Sequence, residues 1–422
     1  MSTLTDLSHA HRLDSQDELA AYRNSFVIPD PDLIYLDGNS LGRLVACSAE
    51  RIGRVVEYEW ADDLIRGWNA GWFESPFRAG AKIAQLVGAA PDQVLVTDST
   101  SANLFKLVMA ALLARPGRTR IVSDALNFPS DLYVLQGCIR LLGDRHHLHL
   151  APSAGEIEPD LTALFDALDD QVALVTLSHV TFKSSYLYDA HEVTCRAQRV
   201  GALVLWDLSH SAGALPIALD QWGVDLAVGC TYKYLNGGPG SPAFLYVRQE
   251  LQDQLDSPIW GWWGHTAPFE FDLHYRPAGG IGRFLAGSPP ILSLLTMEAA
   301  LDLMLEVGLE RIRRKSVQLS EYMIALADER LAPLGFSLGS PRSTARRGSH
   351  VSLRHPAGFR ISRALIEEMS VLPDFRQPDN LRFGLAPLYN SFADVWYAVD
   401  RLAAVVEEGR HLNYPATPAA VT

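Results

Sequence analysis

Short apolar runs alternate with amphipathic segments through the middle of the chain, from about residue 94 onward. The apolar runs predict buried strands at 94–97, 120–123, 147–151, 172–178, 202–206, 225–230 and 243–247. The intervening segments have apolar positions at helical spacing and predict helices at 102–114, 130–143, 159–170 and 190–200. Strand–helix alternation of this kind predicts an α/β fold with a mostly parallel sheet and helices on both faces.

The two ends of the chain follow different patterns. Before the alternating region, the sequence predicts a helix at 15–24, a short strand at 34–36 and a helix at 46–66. After it, residues 251–290 form a long stretch rich in aromatic residues, Gly and Pro, and so long a loop is usually functional. Beyond this stretch, the pattern predicts a long helix at 292–329, strands at 350–355 and 380–385, and helices at 361–369 and 391–409.

These elements suggest more than one domain, for which 422 residues are sufficient. We predict an N-terminal arm over 1–45 that joins the small domain, a large α/β domain over 46–295, and a small α+β domain over 296–422. The last residues, 413–422, look frayed.

The composition narrows the classes of function. A formal net charge of −13 argues against nucleic-acid binding, which normally needs a basic face. No apolar run approaches the roughly 18 residues of a membrane span, and the polar, acidic first residues do not resemble a signal peptide. The cysteines lack CxxC spacing, which indicates reduced thiols in a cytosol, and they are Cys47, Cys138, Cys195 and Cys230. We therefore expect a cytoplasmic protein that acts on a small molecule.

Three further motifs are incomplete. His147 and His149 would share one face of a strand, but no nearby acid or cysteine completes a metal-ligand set, so we expect no metal site. The glycines after Lys233 are in the wrong order for a phosphate-binding Walker loop, and residues 279–284 do not match a dinucleotide fingerprint.

A lysine and an aspartate at the ends of neighbouring buried strands are the main chemical candidates. Asp207 closes one apolar run and Lys233 follows the next. Open α/β sheets bind ligands in the crevice at such strand ends. Pyridoxal phosphate chemistry needs a lysine for the Schiff base and an acid on the pyridinium nitrogen, and this pair could supply both. Taken alone, a buried structural ion pair is an equally good interpretation.

Other strand ends add polar groups to the same crevice. Thr100 and Ser101 begin a helix, where they could cap it or bind a phosphate. At the next corner, Phe128 could stack on a planar ring and Asp131 could reach its nitrogen. Further polar residues follow at the same corners or at later strand ends, namely Ser130, Ser178 and His210. Because such ends are half buried, this much polarity indicates a binding site.

Two segments outside the alternating region carry further candidates. Arg382, in a strand pattern of the small domain, would clamp a carboxylate if it faced the lysine, although a surface salt bridge is the commoner role. Ser40 lies in a glycine-flanked turn that is either an ordinary surface turn or a loop lining the site.

Six motifs, in this order along most of the chain, closely resemble the kynureninase family of fold-type I pyridoxal phosphate enzymes, in the class V aminotransferase group. They are YLDGNSLG, NFPSDLY, WDLSHSAGA, GCTYKYLNGGPG, GWWGH and LRFGLAPLY. The resemblance implies a cytoplasmic homodimer that hydrolyses L-kynurenine to anthranilate and L-alanine, within tryptophan catabolism by the kynurenine pathway and NAD biosynthesis. The third residue of GWWGH departs from the more familiar GWFGH, with the aromatic character kept.

The resemblance also assigns roles to residues. Lys233 is implied as the Schiff-base lysine, Asp207 as the partner of the pyridinium nitrogen, and Tyr232 as the acid that protonates the remaining enamine. The implied cofactor contacts are Thr100, Ser101, Phe128, Ser130, Asp131, Ser178, Asp207, His210, Tyr232 and Lys233, with Trp262 and Ser288 from a neighbouring subunit. The implied substrate contacts are Arg382 on the α-carboxylate, Ser40, and an aryl pocket of Trp68, Gly287 and Ser288.

Alternative functions on this fold are a cysteine desulfurase, a plain aminotransferase and a cofactor-binding scaffold. A desulfurase needs a nucleophilic cysteine well after the lysine, and no cysteine follows Cys230. A scaffold would typically lose Lys233, Asp207 or Arg382, and all three are present. The apolar face of Trp68 further predicts a preference for L-kynurenine over 3-hydroxykynurenine.

Overall fold

The structure is a computed structural model of the chain and describes residues 4–153 and 155–416. The end of the tail predicted to fray, residues 417–422, lies outside the described residues. The helices are α1 (Leu7–Ser15), α2 (Ala46–Arg54), α3 (Ser75–Val87), α4 (Thr100–Leu113), α5 (Pro129–Leu141), α6 (Leu161–Asp166), α7 (Ala190–Arg199), α8 (Gln249–Gln252), α9 (Ile291–Val307), α10 (Leu309–Leu326), α11 (Gly358–Glu368) and α12 (Phe392–Glu407). The strands are β1 (Ile34–Tyr35), β2 (Val94–Val96), β3 (Arg120–Asp124), β4 (His147–Ala151), β5 (Val172–Ser178), β6 (Leu203–Asp207), β7 (Leu226–Gly229), β8 (Phe244–Val247), β9 (Ser337–Leu338), β10 (His350–Arg354), β11 (Val371–Leu372), β12 (Asp374–Arg376) and β13 (Asn380–Gly384).

The largest sheet has seven strands in the order β2-β8-β7-β6-β5-β3-β4. Its neighbouring strands run parallel except at β8, which is antiparallel to both β7 and β2. This sheet confirms the predicted mostly parallel α/β fold. Every residue of β5 and β6 is buried, which explains why these strands read as continuous apolar runs in the sequence.

Two apolar clusters cover the two faces of this sheet. Along β5, Leu174 belongs to one cluster and Val175 to the other, and Leu205 and Trp206 divide in the same way along β6. Alternate side chains of a strand point to opposite faces, so a helix layer is needed on each side. The carboxyl ends of these strands are thereby held at a fixed edge between the two layers.

A four-stranded antiparallel sheet, in the order β12-β13-β10-β9, forms the second unit of β-structure. Its apolar core also includes Ala10, Ile34 and Leu36 from the start of the chain. Strand β1 pairs in parallel with β11, and Asp37 forms an isolated bridge with Gly384 at the end of β13. The turn after β1 is therefore fixed against the small sheet.

Two helix predictions near the N-terminus are wrong. Instead of a helix at 15–24, α1 occupies Leu7–Ser15, and a 3₁₀ helix follows at Ala20–Ser25. A tertiary contact holds α1, because the carboxylate of Asp14 accepts the backbone N–H groups of Phe392 and Ala393 (2.7 and 3.0 Å) at the start of α12. The helix predicted at 46–66 is α-helical only to Arg54, and continues as a π-helix over Val55–Asp63.

The long helix predicted at 292–329 is also wrong, since Gly308 divides it into α9 and α10. Gly308 has φ +81°, a left-handed conformation that glycine adopts without a Cβ penalty. The chain therefore turns at this residue, and α9 packs on the core of the seven-stranded sheet while α10 reaches the core of the small sheet. No helix within the described ranges is long and apolar enough to cross a membrane.

Candidate active site

Three of the predicted site residues meet at one edge of the seven-stranded sheet. Ser178 ends β5 and pairs in register with Asp207, which ends β6. Lys233 follows the end of the neighbouring strand β7 by four residues. The adjacent carboxyl ends of parallel strands thus bring an acid and an amine together, as the sequence predicts.

The amine of Lys233 lies among polar and aromatic groups. Its Nζ is 3.1 Å from Nε2 of His210, and it lies 6.0 Å from the ring centroid of Phe128 and 5.9 Å from that of Tyr232. Burial and the charge of Lys233 hold the pKa of His210 well below its usual range. The imidazole of His210 is therefore neutral, and its lone pair can accept a hydrogen bond from the lysine.

Two buried carboxyl groups face this lysine. Asp207 accepts hydrogen bonds from the backbone N–H of Ser209 (2.9 Å) and from Ser209 Oγ (2.6 Å). Burial raises the pKa of Asp207, while Ser209 and Lys233 oppose that rise. Burial and the neighbouring charge of Asp207 raise the pKa of Asp131 well above its usual range, and Asp131 Oδ2 has no hydrogen-bond partner. Asp131 Oδ2 can therefore still accept a hydrogen bond from a bound cationic group.

The corner before α5 orients Phe128 and depends on Ser178. Ser178 Oγ donates to Asn127 Oδ1 (2.8 Å), and the same oxygen accepts the backbone N–H of Phe128 (2.8 Å). The ring of Phe128 packs edge-on against Phe182 at 5.2 Å and remains 38% exposed. Phe128 therefore presents a free aromatic face beside the lysine, while Ser178 acts on this corner through Asn127.

A cavity of about 470 Å³ lies at the start of α4. Its lining includes Thr100, Ser101, Tyr232, Gly287 and Ser288. The side chain of Ser99 caps α4, so the first N–H groups of the helix and their positive dipole end lie at this cavity. Ser101 Oγ is 3.3 Å from Ser130 Oγ, which ties α4 to the start of α5. The cavity can bind a phosphate.

Arg382 on β13 is almost fully buried and already has several partners. It forms an ion pair with Asp374, donates to the carbonyl oxygen of Phe182 (2.5 Å), and donates to Ser40 Oγ (3.1 Å). With the amide of Asn39 turned to suit its neighbours, Asn39 Oδ1 also accepts from Arg382 Nε (3.1 Å). The turn around Ser40 therefore lines this part of the site, as one of the two sequence interpretations predicted.

Two predicted residues lie elsewhere in the chain. Trp262 lines a separate cavity of about 370 Å³ and packs edge-on against Trp263 at 4.7 Å. Trp68 packs between Trp72 (5.6 Å) and Trp263 (5.0 Å). Ser288, expected from a neighbouring subunit, lines the cavity of its own chain beside Thr100.

Comparisons with known proteins identify the family. A class V aminotransferase profile matches residues 77–356, and a profile of the kynureninase C-terminal domain matches residues 312–402. A kynureninase from Burkholderia mallei (strain SAVP1) is 44% identical over 97% of this chain and 98% of its own length. One from Pseudomonas fluorescens is 43% identical over 94% of each chain.

The chain belongs to the kynureninase family. The resemblance found in the sequence is thereby confirmed, as is the fold-type I class. Solved structures of similar shape include a cysteine desulfurase from Thermococcus onnurineus NA1 (TM-score 0.77, 20% identity, 89% of this chain and 95% of that one). Another is a cysteine desulfurase from Escherichia coli (TM-score 0.78, 18% identity, 94% and 98%). Identities this low support the fold alone.

Membership of this family makes the chain a pyridoxal-phosphate-dependent enzyme, as predicted. The residues present fit that cofactor. The unpartnered oxygen of Asp131, beside Asp207, suits a protonated ring nitrogen, and the free face of Phe128 suits the ring. The cavity at the start of α4 suits the phosphate. The described residues contain no group of three or more His, Cys, Asp or Glu side chains that could hold a metal ion.

The sequence interpretation missed three residues that build the site. Lys106 is fully buried in α4, forms an ion pair with Asp98 at the phosphate-type cavity, and donates to the carbonyl oxygen of Phe284 (2.7 Å). Asp374 is the ion-pair partner of Arg382, and its three-residue strand was not predicted. His350 is buried beside His210. Of these three residues, only Lys106 left a signal in the sequence, as a lysine within the apolar stretch of α4.

Replacing the lysine tests the cofactor linkage. The variant Lys233→Ala is expected to remain folded, because Lys233 is not part of an apolar core cluster, but to lose the visible absorbance band of the lysine-linked cofactor. The measurement is an absorption spectrum after incubation with pyridoxal phosphate, with circular dichroism as the check on folding. Lys183→Ala is the control, because its salt bridge with Glu156 lies on the surface. Retention of the visible band in Lys233→Ala would contradict the assignment.

Proposed function

We propose that this protein hydrolyses L-kynurenine to anthranilate and L-alanine, cleaving the Cβ–Cγ bond of the substrate. The observation that carries the proposal is the convergence of Lys233, Asp207 and Asp131 at one sheet edge, in a chain 44% identical to a kynureninase over nearly its whole length. The reaction would serve tryptophan catabolism through the kynurenine pathway. We also propose that it contributes to NAD biosynthesis.

The proposed mechanism begins with substrate placement. Arg382 binds the α-carboxylate, with Ser40 supporting the guanidinium at 3.1 Å. When bound, pyridoxal phosphate supplies an electron sink for carbanion chemistry at the substrate. Asp207 and Asp131 are the residues that would hold the cofactor's ring nitrogen in the protonated form. Lys233 carries the proton removed from the substrate Cα, a transfer that needs an amine within reach of that carbon.

Tyr232 is the proposed acid for the later step. Water adds to the substrate's γ-carbonyl carbon, and the Cβ–Cγ bond breaks to release anthranilate. Burial, followed by the influence of Cys230, raises the pKa of Tyr232, so its hydroxyl keeps its proton. A protonated phenol beside the lysine can deliver that proton to Cβ and complete the alanine skeleton.

The test of the proposal is anthranilate release. Holoenzyme mixed with L-kynurenine is expected to produce anthranilate fluorescence without an added oxo acid, together with one equivalent of L-alanine. The control reaction contains L-alanine and an oxo acid other than pyruvate, such as 2-oxoglutarate, and reports any transamination by the pyruvate that forms. Turnover that depends on an oxo acid would favour a plain aminotransferase, and the absence of anthranilate would contradict the proposal.

We also propose that the working enzyme is a homodimer. Two adjoining segments, which meet through Phe73 and Phe269 at 5.9 Å, carry many exposed large apolar side chains. These are Tyr58, Trp60, Leu64, Ile65, Trp260, Trp262, Phe269, Phe271 and Leu273. Apolar surface on this scale marks an interface. Trp262 lines a different cavity from Thr100 within one chain, so its expected cofactor contact needs a second chain.

Disrupting this surface tests the dimer. Phe271 and Leu273 are 76% and 96% exposed, so Phe271→Glu with Leu273→Glu is expected to leave each chain folded while the introduced charges oppose association. Sedimentation at micromolar concentration should show a dimer for the wild type and a monomer with little activity for the variant. The double substitution Leu141→Glu with Leu150→Glu, at other exposed sites, is the control. A fully active wild-type monomer would contradict the proposal.

Substrate choice is expected to favour the unsubstituted ring. We propose an aryl pocket of Trp68 with Gly287 and Ser288. Trp68 packs on Trp263 (5.0 Å), whose backbone N–H donates to the carbonyl oxygen of Ala286 (3.2 Å), the residue before Gly287. Trp68 is packed among aromatic rings and offers at most one indole donor. Burying an extra phenolic hydroxyl there without a good partner costs about 1–3 kcal/mol.

The ratio of kcat/KM for L-kynurenine and 3-hydroxykynurenine measures this preference. A tenfold to hundredfold preference for L-kynurenine is expected, roughly as the hydroxyl penalty implies. Trp68→His adds a side chain that can hydrogen-bond the phenolic hydroxyl, so it should lower the kcat/KM ratio of L-kynurenine to 3-hydroxykynurenine. Trp222→His, outside the proposed pocket, should leave this ratio unchanged. Equal values for the wild type would show that this account of the pocket is wrong.

The remaining expectations are proposals of the same kind. The proposed division at 1–45, 46–295 and 296–422 is supported at the N-terminal arm by the core that Ala10 and Ile34 share with the small sheet. The second boundary is less well supported, because Met297 and Val307 of α9 belong to the core of the seven-stranded sheet. A cytoplasmic location is supported by four cysteines that are all free thiols.

A further inference from the structure

His350 is a buried imidazole without a partner, and it lies where two parts of the site meet. It is 0% exposed, and neither of its ring nitrogens has a hydrogen-bond partner of good geometry, although the Phe182 backbone lies near the ring. Its ring centroid is 5.5 Å from that of His210, whose Nε2 is 3.1 Å from Lys233 Nζ. Buried polar groups are nearly always hydrogen-bonded, so an imidazole with two free nitrogens needs an explanation.

Strand register places His350 on the same sheet face as Arg382. On β10 and β13, His350 pairs with Gly384 and Ser352 pairs with Arg382, so these four residues share one face. Ser352 and Arg382 contact the segment after β5, through the carbonyl oxygens of Lys183 and Phe182. His350 therefore lies in the space between the small sheet and the ends of the large sheet, with Lys233 on one side and Arg382 on the other.

The donors of Arg382 are largely engaged within the chain. Asp374, Ser40 and the carbonyl oxygen of Phe182 all accept from it, and Asp374 also pairs with Arg376, so the cluster keeps a positive charge. An α-carboxylate that approaches Arg382 finds most of these donors engaged, with one N–H of Nη1 left to contact it. His350 lies two residues before Ser352, the strand partner of Arg382, and its ring nitrogens remain available for a second contact with the carboxylate.

The charge state of His350 suits a hydrogen bond to a bound anion, because the ring lies between two cations, Arg382 and Lys233. Burial, followed by the charges of Arg382 and Lys233, holds the pKa of His350 well below its usual range, although the backbone of Phe182 opposes this. The neutral ring keeps one N–H donor and one acceptor nitrogen. An acceptor carboxylate would satisfy the donor, and the carboxylate's charge would be balanced by the surrounding cations.

We infer that His350 is a second binding residue for the substrate's α-carboxylate, to which one of its ring N–H groups donates while Arg382 supplies the charge. This inference rests on the proposed function, because it places an amino-acid substrate between Lys233 and Arg382. It assigns His350 a contact with the amino-acid part of the substrate and not with the aryl ring.

Equilibrium binding of two small amines to the holoenzyme tests the inference. L-Alanine carries the α-carboxylate, and L-alaninamide replaces it with a neutral amide. Each is titrated by the change it causes in the visible spectrum of the bound cofactor, with no turnover. His350→Leu is expected to weaken L-alanine binding about tenfold to hundredfold, which is the loss expected of a hydrogen bond to a charged group, and to leave L-alaninamide binding nearly unchanged.

Two further variants control the measurement. His350→Gln retains a donor and an acceptor and should recover most of the selectivity for L-alanine. His411→Leu removes another buried imidazole, one that contacts the Val405 carbonyl in the C-terminal region, and should lower stability without changing the selectivity. If His350→Leu does not fold, His350→Phe gives the same comparison with a planar ring.

Thermal unfolding separates binding from structure. An apolar side chain in place of an unpartnered imidazole should leave the melting temperature equal or higher. Unchanged selectivity in His350→Leu, or equal losses for both probes, would overturn the inference. These titrations do not need kynurenine hydrolysis, so a wild type that released no anthranilate would contradict the proposed function separately.

Discussion

Burial of charge beside Lys233 is the constraint on which the site depends. Asp131, Asp207 and His210 are each at most 5% exposed, and their charged forms lose the stabilisation that water provides. The acids consequently have raised pKa values and the imidazole a lowered one. Such an arrangement is unfavourable for the isolated chain, and a bound cation at the acids relieves it. The same desolvation strengthens every electrostatic contact with a ligand held there.

Two apolar layers on the large sheet and a second core under the small sheet offset the free-energy cost of burying these polar groups. The strands that end at the site are buried on both faces, so their carboxyl ends cannot shift independently. Lys106 adds a further connection, since its buried amine joins Asp98 at the cavity to the Phe284 carbonyl in the aromatic loop. The apolar layers and the Lys106 contacts thus stabilise the structure around a site whose buried acids are themselves unfavourable, as is common at functional sites.

The proposed substrate side of the site is assembled from distant parts of the chain. Arg382 contacts Ser40 from the N-terminal turn, the Phe182 carbonyl after β5, and Asp374 from the edge strand. Movement of the small sheet would change all of these contacts together. The structures of similar shape include cysteine desulfurases, yet no cysteine follows Cys230 here. At this level of identity the likeness concerns the fold alone, so the roles of the site residues rest on the side chains of this chain.

The sequence alone determined the features whose signal is local. Strands buried on both faces must be apolar throughout, so β5 and β6 were visible as runs, and the polar residues at their ends were visible by contrast. The Lys233–Asp207 pair and the family motifs followed from the same segments. Tertiary structure decided the features whose partners are remote. Helix α1 depends on the contact of Asp14 with α12, and α9 ends where Gly308 turns the chain toward another core. Asp374 and His350 acquire their proposed roles only when two sheets meet, because burial and missing partners are properties of the packed molecule and leave no periodic signal along the chain.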